Sequence, residues 1–301
     1  MELRDVWAID TKSLVFYAVP EVAKRLFQFW EPKEMARGTF AGVAKRLNLK
    51  PGEEWMVLGK MGPGSVAEVV KEMDDIGVQH MFLEATKCWS RRDHALWDDQ
   101  PVDLIKRLVD ESGGRIIGGA SYNPFRIKES LEDIDRAVEA YGCKFVWAHP
   151  ISFGLRPDDK KMYPLYVKCL ELGIPACFQV GHSAEALPSE PGHPMNADEI
   201  AMDLPDLKIV LTHTGYPWIH EWISMIWRHN NVYGSINAWY PSDLDPAIIK
   251  FMDGRGQDKI MWATNGFGLT RCKKEFLELP LKDSVKKKIL RDNAMRVFNL
   301  K

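Results

Sequence analysis

KFVWAHPISFGLRPDDKKMYPLYVKCLELGIPACFQ, residues 144–179, decides the fold. Its opening, Lys144–Ala148, is a short apolar run of the kind found in strands buried on both faces. An amphipathic stretch over Tyr163–Leu172 then predicts a helix that stops at Gly173, because glycine readily takes the left-handed backbone that ends helices. Pro175–Gln179 repeats the apolar run. Strand, helix and strand in this order make one βαβ unit of a parallel sheet.

The same alternation continues in both directions. Toward the C-terminus it predicts helices at Ala197–Leu204, Trp218–Arg228 and Pro246–Met252, between strands at Lys208–Thr212, Val232–Ser235 and Ile260–Trp262. Two last helices follow, at Thr270–Glu278 and Ser284–Val297. Toward the N-terminus it predicts strands at Arg115–Ala120, His80–Leu83 and Val6–Ile9, with helices at Ile127–Tyr141 and Pro101–Ser112. A further helix runs to about Ile76 from a Ser65 cap, with Glu68 placed for a capping box. This gives eight strand–helix units. The segment after Asp10 lacks the glycine loop that a doubly wound nucleotide-binding sheet carries after its first strand. The expected fold is therefore α/β, a (β/α)8 TIM barrel, as a single domain over residues 1–301. Such a barrel needs roughly 250 residues, which leaves room for an insertion after the first strand. That insertion spans residues 11–62, with a helix predicted over PEVAKRLFQFWEP and a Pro/Gly-containing stretch around Pro51 and Pro63.

Composition narrows the function classes. A net charge of -2 over 301 residues gives no basic field for nucleic acid or an anionic membrane. There is no apolar run of about 18 residues and no leader-like N-terminus, so no membrane span or secretory signal is expected. Five cysteines without CxxC spacing, mostly in apolar segments, predict reduced, buried thiols and a cytoplasmic setting. The eleven tryptophans suit core filling, a pocket lining or an interface.

In a barrel of this kind chemistry sits at the C-terminal ends of the strands. The residues there are Asp10, Thr11, Lys12, Ser13 and Leu14; Glu84 and Lys87; His149 and Pro150; Gln179 and His182; His213 and Gly215; Thr264 and Asn265. His149, His182 and His213 thus follow three different strands and are candidates to converge. Neutral imidazole ligates metals and serves as a general base. A stable hydrolytic metal site, however, adds a carboxylate or further histidine. Asn265 has no charge to offer, and Lys12 is a cation. The loop GHSAEALPSEPGHP, residues 181–194, has the composition of a rim or lid, with Glu185, Glu190 and His193 on it.

The segments WAHPISFGLRPDDKKMYPLYVKCLELGIP, GIPACFQVGHSAEALPSEPGHP, IVLTHTGYPWIHEWISMIWRHNNVYGSINAW and GQDKIMWATNGFGLTRCKKEFLELPLKDSVKKKILRDNAMRVFNL resemble the amidohydrolase-2 family. This is the family of aminocarboxymuconate-semialdehyde decarboxylase, resorcylate-type decarboxylases and related hydrolases. The resemblance spans nearly the whole chain and is strongest from Gly142 onward. It implies the barrel, and a divalent metal, often zinc, at the strand ends. It also implies that His182 is a metal ligand and that His213 acts in catalysis or touches the metal. The family's first-strand Asp-x-His-x-His reads here as Asp10, Thr11, Lys12, Ser13, Leu14. Its last-strand Asp is Asn265, and a lysine common two residues before His149 is Trp147. Lys12, Leu14 and Asn265 are thus altered ligand positions.

Two expectations follow. The first is a barrel that has lost its usual metal chemistry and serves as an accessory subunit in a homo- or hetero-oligomer, pairing with a metal-binding paralogue. PWIHEWISMIW would then be a contact, or simply the packing of the sixth helix. No cofactor is expected on this reading, beyond residual zinc, manganese or iron on His182 and His213. The alternative is an active hydrolase or decarboxylase on a small carboxylate or carbonyl compound. It would work through an unusual metal set, or without metal through Lys12, with His149 or His213 as acid/base. Lys12 would otherwise pair with Asp10 or Glu84 and fill the vacated space.

Overall fold

The computed structural model describes residues 3–14, 20–58 and 65–301. Eight parallel barrel strands appear in chain order: β1 (Ala8–Asp10), β2 (Val78–Glu84), β3 (Ile116–Gly119), β4 (Val146–Ala148), β5 (Ala176–Gln179), β6 (Ile209–Thr212), β7 (Val232–Ser235) and β8 (Ile260–Met261). β2 lies between β1 and β3, and β4 through β8 pair in sequence. A parallel bridge from Ala120 to Val146 joins β3 to β4. The N–H of Thr11 donates to the Trp262 carbonyl at 3.2 Å and joins β8 to β1. The ring is closed: the chain is a (β/α)8 barrel. Pairs such as Gln179 with Thr212 and Ser235 with Met261 keep the strand ends level, so the residues after each strand meet at one rim.

Most of these strands are buried along their whole length, which is why they read as apolar runs. Outside the ring, Leu211, Ile226 and Trp222 belong to a continuous layer between strands and helices. Inside it, Ile9, Phe82, Phe145, Cys177, Val210 and Met261 pack together. Phe298 closes this inner core, edge-on to Phe82 with ring centroids 4.7 Å apart. The end it closes is the one away from the strand C-termini, since Lys208, just before β6, donates to the Val297 carbonyl at 2.9 Å. Gly119 is required here, because a Cβ on it would lie 2.4 Å from the Phe145 ring. All five cysteines are buried, unpaired thiols. No helix among the described residues is long and apolar enough to cross a membrane.

The helices follow their predicted positions, with two refinements. The stretches read as continuous over 127–141 and 284–297 each contain a wide turn, at Arg136–Ala140 and Lys288–Asp292. Ser65 caps its helix as expected: its Oγ accepts the Glu68 N–H and donates to the Glu68 carboxylate.

The insertion differs more. The single helix expected over PEVAKRLFQFWEP is two, Pro20–Leu26 and Trp30–Arg37, followed by Ala41–Arg46 and a turn at Glu54–Val57. Pro63 and residues 15–19 and 59–62 lie outside the described residues. The helices bury Leu26, Phe27, Met35 and Leu58 against Cys88 and Trp97. Those two come from an antiparallel hairpin, Lys87–Ser90 with Ala95–Asp99, that the sequence reading did not anticipate. Glu31, buried in the insertion, fastens the two parts by accepting the Ser90 hydroxyl and the Arg91 N–H at 3.0 and 2.9 Å.

Lys273 anchors the N-terminus. It is fully buried, and its ammonium donates to the carbonyls of Leu3, Val6, Ile76 and Gly77 at 2.5–3.0 Å. Ile76 and Gly77 end the Val66–Ile76 helix, where the dipole favours a cation. Lys273→Met leaves these carbonyls without their charged donor. Its expected cost is about 1–3 kcal/mol, checked by urea unfolding. A loss within a few tenths would show that the clamp is dispensable.

Candidate functional site

At the strand C-termini lies a cavity of about 560 Å³. Its lining includes Lys12, Leu14, His149, His182, His213 and Asn265, so the candidate acid/base groups and the present and altered ligand positions border one chamber. The insertion contributes Leu26, Met35, Phe40 and Leu58 to its walls, and the hairpin contributes Cys88, Trp97 and Asp98. The insertion is therefore part of the site. Trp147, Trp239, Tyr240 and Phe267 give the chamber its aromatic surface.

Lys12 leaves the end of β1 and pairs with Glu84 at the end of β2. Both side chains are almost fully enclosed, 2% and 1% exposed. The Lys12 Nζ also sits 4.2 Å from the centre of the Trp147 ring, a cation–π contact in a dry setting. Thr86 donates to the same Glu84 oxygen at 3.3 Å, while Glu84 Oε2 is buried without a hydrogen-bond partner. Of the two carboxylates within reach in the sequence, Glu84 is thus the partner of the Lys12 ammonium.

Asp10 is engaged elsewhere. It accepts the N–H and hydroxyl of Thr264 at 2.9 and 2.6 Å, which ties β1 to the segment after β8. The Asn265 N–H adds a bond to the Lys12 carbonyl at 2.8 Å. Burial pushes the Asp10 carboxyl up to about 7, against the lowering pull of the Thr264 hydrogen bonds. A carboxyl whose pKa is higher folded than unfolded favours the fold at low pH, and that gain fades as pH rises through the folded value. The Asp10 contribution to stability is expected to fall between about pH 4 and 7. Asp10→Asn should flatten that part of the curve of urea midpoint against pH; an unchanged slope would contradict the assignment.

His213 sits in a turn with left-handed backbone at two successive non-glycine residues, φ 73° at His213 and 58° at Thr214. Such conformations persist where the surroundings enforce them. Here Asn237 does so, accepting the His213 N–H at 2.9 Å and donating its amide to Nδ1 at 3.0 Å. With Nδ1 an acceptor, the ring proton of neutral His213 resides on Nε2. Burial, and then the charge of Lys12, hold its pKa well below the ordinary value, so it acts as a neutral hydrogen-bond donor.

His149 is enclosed as well. Its Nδ1 accepts the Ser152 N–H at 3.1 Å, and its Nε2 lies 3.2 Å from Ser183 Oγ. Burial lowers its pKa; Glu185 opposes that and Lys12 reinforces it. His182 stands apart: it is exposed at the rim, edge-on to Trp218 with ring centroids 5.5 Å apart. The loop bearing it is held by hydrogen bonds from the Thr39 hydroxyl to the Ala184 carbonyl and from the His182 N–H to the Tyr216 carbonyl. On the same loop, Glu185 lines the cavity. His193 caps a local turn and lies tilted against Trp218, and Glu190 begins another turn.

This donor set does not fit a divalent metal. No cluster of three or more His, Cys, Asp or Glu side chains among the described residues could hold one. The position between the ends of β1 and β2 is taken by an ammonium–carboxylate pair, and an ammonium has no lone pair to donate and repels a cation. Asn265 offers only a neutral amide, its Oδ1 buried and unpartnered.

Two residues the sequence reading passed over, Ser183 and Asn237, contact the histidines His149 and His213. Asn237 follows β7 and falls under the same strand-end rule that found the histidines. Ser183 was masked by its neighbour His182.

Comparison with known proteins adds the following. A family model described as amidohydrolase matches residues 72–300. No curated protein matches the sequence. An uncharacterized TIM-barrel protein from Bordetella bronchiseptica is 20% identical, with a TM-score of 0.74 and 98% of each chain covered. The 5-carboxyvanillate decarboxylase of Sphingomonas paucimobilis is 16% identical, with a TM-score of 0.68 over 98% of this chain and 100% of that one. A dihydroxybenzoic acid decarboxylase from Polaromonas, solved with manganese and 2-nitroresorcinol, is 15% identical, with a TM-score of 0.66 over 98% of this chain and 97% of that one. At these identities the likeness is one of fold.

Proposed function

The chain belongs to the amidohydrolase family, and from that premise we propose that it is a metal-free member, binding a small carbonyl or carboxylate compound in the retained cavity. The observation that carries this reading is the buried Lys12 ammonium, paired with Glu84, at a position where the family resemblance places a metal-ligand histidine. At the cavity floor, Lys12 Nζ and the Nε2–H of His213 are donors, which calls for an oxygen acceptor on the ligand. The aromatic walls suit a planar or apolar body. Lys12, paired with Glu84, borders the chamber and offers an N–H donor to such an acceptor without a metal ion. Titration with benzaldehyde and benzoate, followed by tryptophan fluorescence, tests this. Saturable quenching by either compound, equal with and without a chelator, is the expected result. Absence of saturation by both, or dependence on added metal, would sink the reading.

A second reading is favoured by Trp227, which is 57% exposed on the helix Ile219–Arg228. Its neighbour Trp222 is core, donating to the Leu211 carbonyl. On this reading the chain pairs, through that face, with a paralogue that keeps the metal ligands. Co-purification with a tagged paralogue tests it; two independent monodisperse species would count against pairing.

A further inference from the structure

The cavity wall at the ends of β4 and β5 carries Ser183, Glu185 and His149, side by side. We propose that Ser183 is a nucleophile for acyl transfer, with Glu185 as its base and His149 as the donor that fixes its oxygen. All three side chains line the cavity. The Ser183 hydroxyl donates to Glu185 Oε2, and Ser183 Oγ lies 3.2 Å from His149 Nε2. Since His149 Nδ1 is filled by the Ser152 N–H, the proton of the neutral ring is on Nε2 and is donated to Ser183 Oγ. The imidazole therefore cannot take the serine's proton, and the carboxylate can. This inverts the usual serine–histidine division of labour, in which the imidazole is the base.

The arrangement is held from several sides. Thr39 of the insertion binds the Ala184 carbonyl at 2.8 Å, and the Gly181 N–H binds the Gly192 carbonyl at 2.6 Å. Gly192 permits that closure, because a Cβ on it would lie 2.2 Å from the Gly181 oxygen. A reactive serine needs such fixed geometry.

The substrate class is an uncharged ester with an apolar acyl or aryl group, suited to Trp147, Trp239, Tyr240 and Phe267. Ser183 Oγ attacks the ester carbonyl carbon, and its proton passes to Glu185. The carbon–oxygen bond to the alcohol breaks, and the leaving alkoxide takes that proton, giving free alcohol and acyl-Ser183. Water then attacks the acyl carbon, with Glu185 accepting its proton and returning it to Ser183 Oγ as the acid departs. The sum is ester plus water to acid plus alcohol, with no redox change and no metal. The chemistry uses neither Lys12 nor a bound ion, so it stands or falls separately from the metal-free binding reading.

The test is a fluorophosphonate probe on the full-length chain, with adducts located by peptide mass spectrometry. The expected result is an adduct on Ser183 in the folded protein, absent after urea unfolding and absent in Ser183→Ala. Glu185→Gln should slow labelling at least about 100-fold, at an unchanged thermal midpoint. No adduct on Ser183 in the folded chain would overturn the proposal. So would equal labelling of folded and unfolded chain, or an unchanged rate in Glu185→Gln.

Discussion

Glu84→Leu is expected to destabilise the chain by about 3–5 kcal/mol, the cost of leaving the buried Lys12 charge without its partner. The Lys12 ammonium and the Glu84 carboxylate are both almost fully buried, with Trp147 against the ammonium. Lys12→Met alone should cost a similar amount, because Glu84 would then be the stranded ion. Combining Lys12→Met with Glu84→Leu removes both charges and should be near neutral, or stabilising by about 1–4 kcal/mol. Urea unfolding of the four proteins measures this as a coupling energy. The signature is two damaging single changes and a harmless double. Losses that simply add would mean that the two groups do not form the isolated pair described here.

Placing metal donors at three positions of the chamber should give it metal affinity. Lys12→His, Leu14→His and Asn265→Asp, made together, put two imidazoles and a carboxylate at the ends of β1 and β8. With His182 or His213 this reaches the four-coordinate set that zinc favours. The triple variant is expected to retain metal through dialysis and to gain thermal stability with added zinc, because a ligand that binds only the folded state stabilises it. The single changes should do neither, since one added donor leaves the site short. A triple variant that stays empty would mean that more than these three positions separates this chamber from a metal centre.

How much of this was legible in the sequence differs from element to element. The strands were, because burial on both faces leaves no polar positions to blur runs such as Ile209–Thr212. The strand-end rule then brought Lys12, His149, His213 and Asn265 to one cavity. The hairpin 87–99 was not legible: its turn, around Arg91–His94, has no Asn-Gly or Asp-Gly signal, and it is fixed by Glu31, some sixty residues earlier. The break at Phe27–Phe29 was missed because those residues fit a helical pattern, and packing against the hairpin cluster decides between one helix and two. Pairing posed a different limit. Lys12 had two carboxylates in reach, and only the Thr264 bonds to Asp10 leave Glu84 as its partner. His182 is similar: proximity in sequence to β5 placed it at the rim, but the loop turns its ring outward onto Trp218.

The proposed metal-free site rests on the Lys12–Glu84 pair at the ends of β1 and β2. Elemental analysis of the full-length protein, as purified and again after incubation with manganese or zinc and dialysis, tests it most directly. The account predicts substoichiometric metal in both samples, unaltered by His182→Ala. Near one manganese, zinc or iron per chain, lost in His182→Ala, would contradict it.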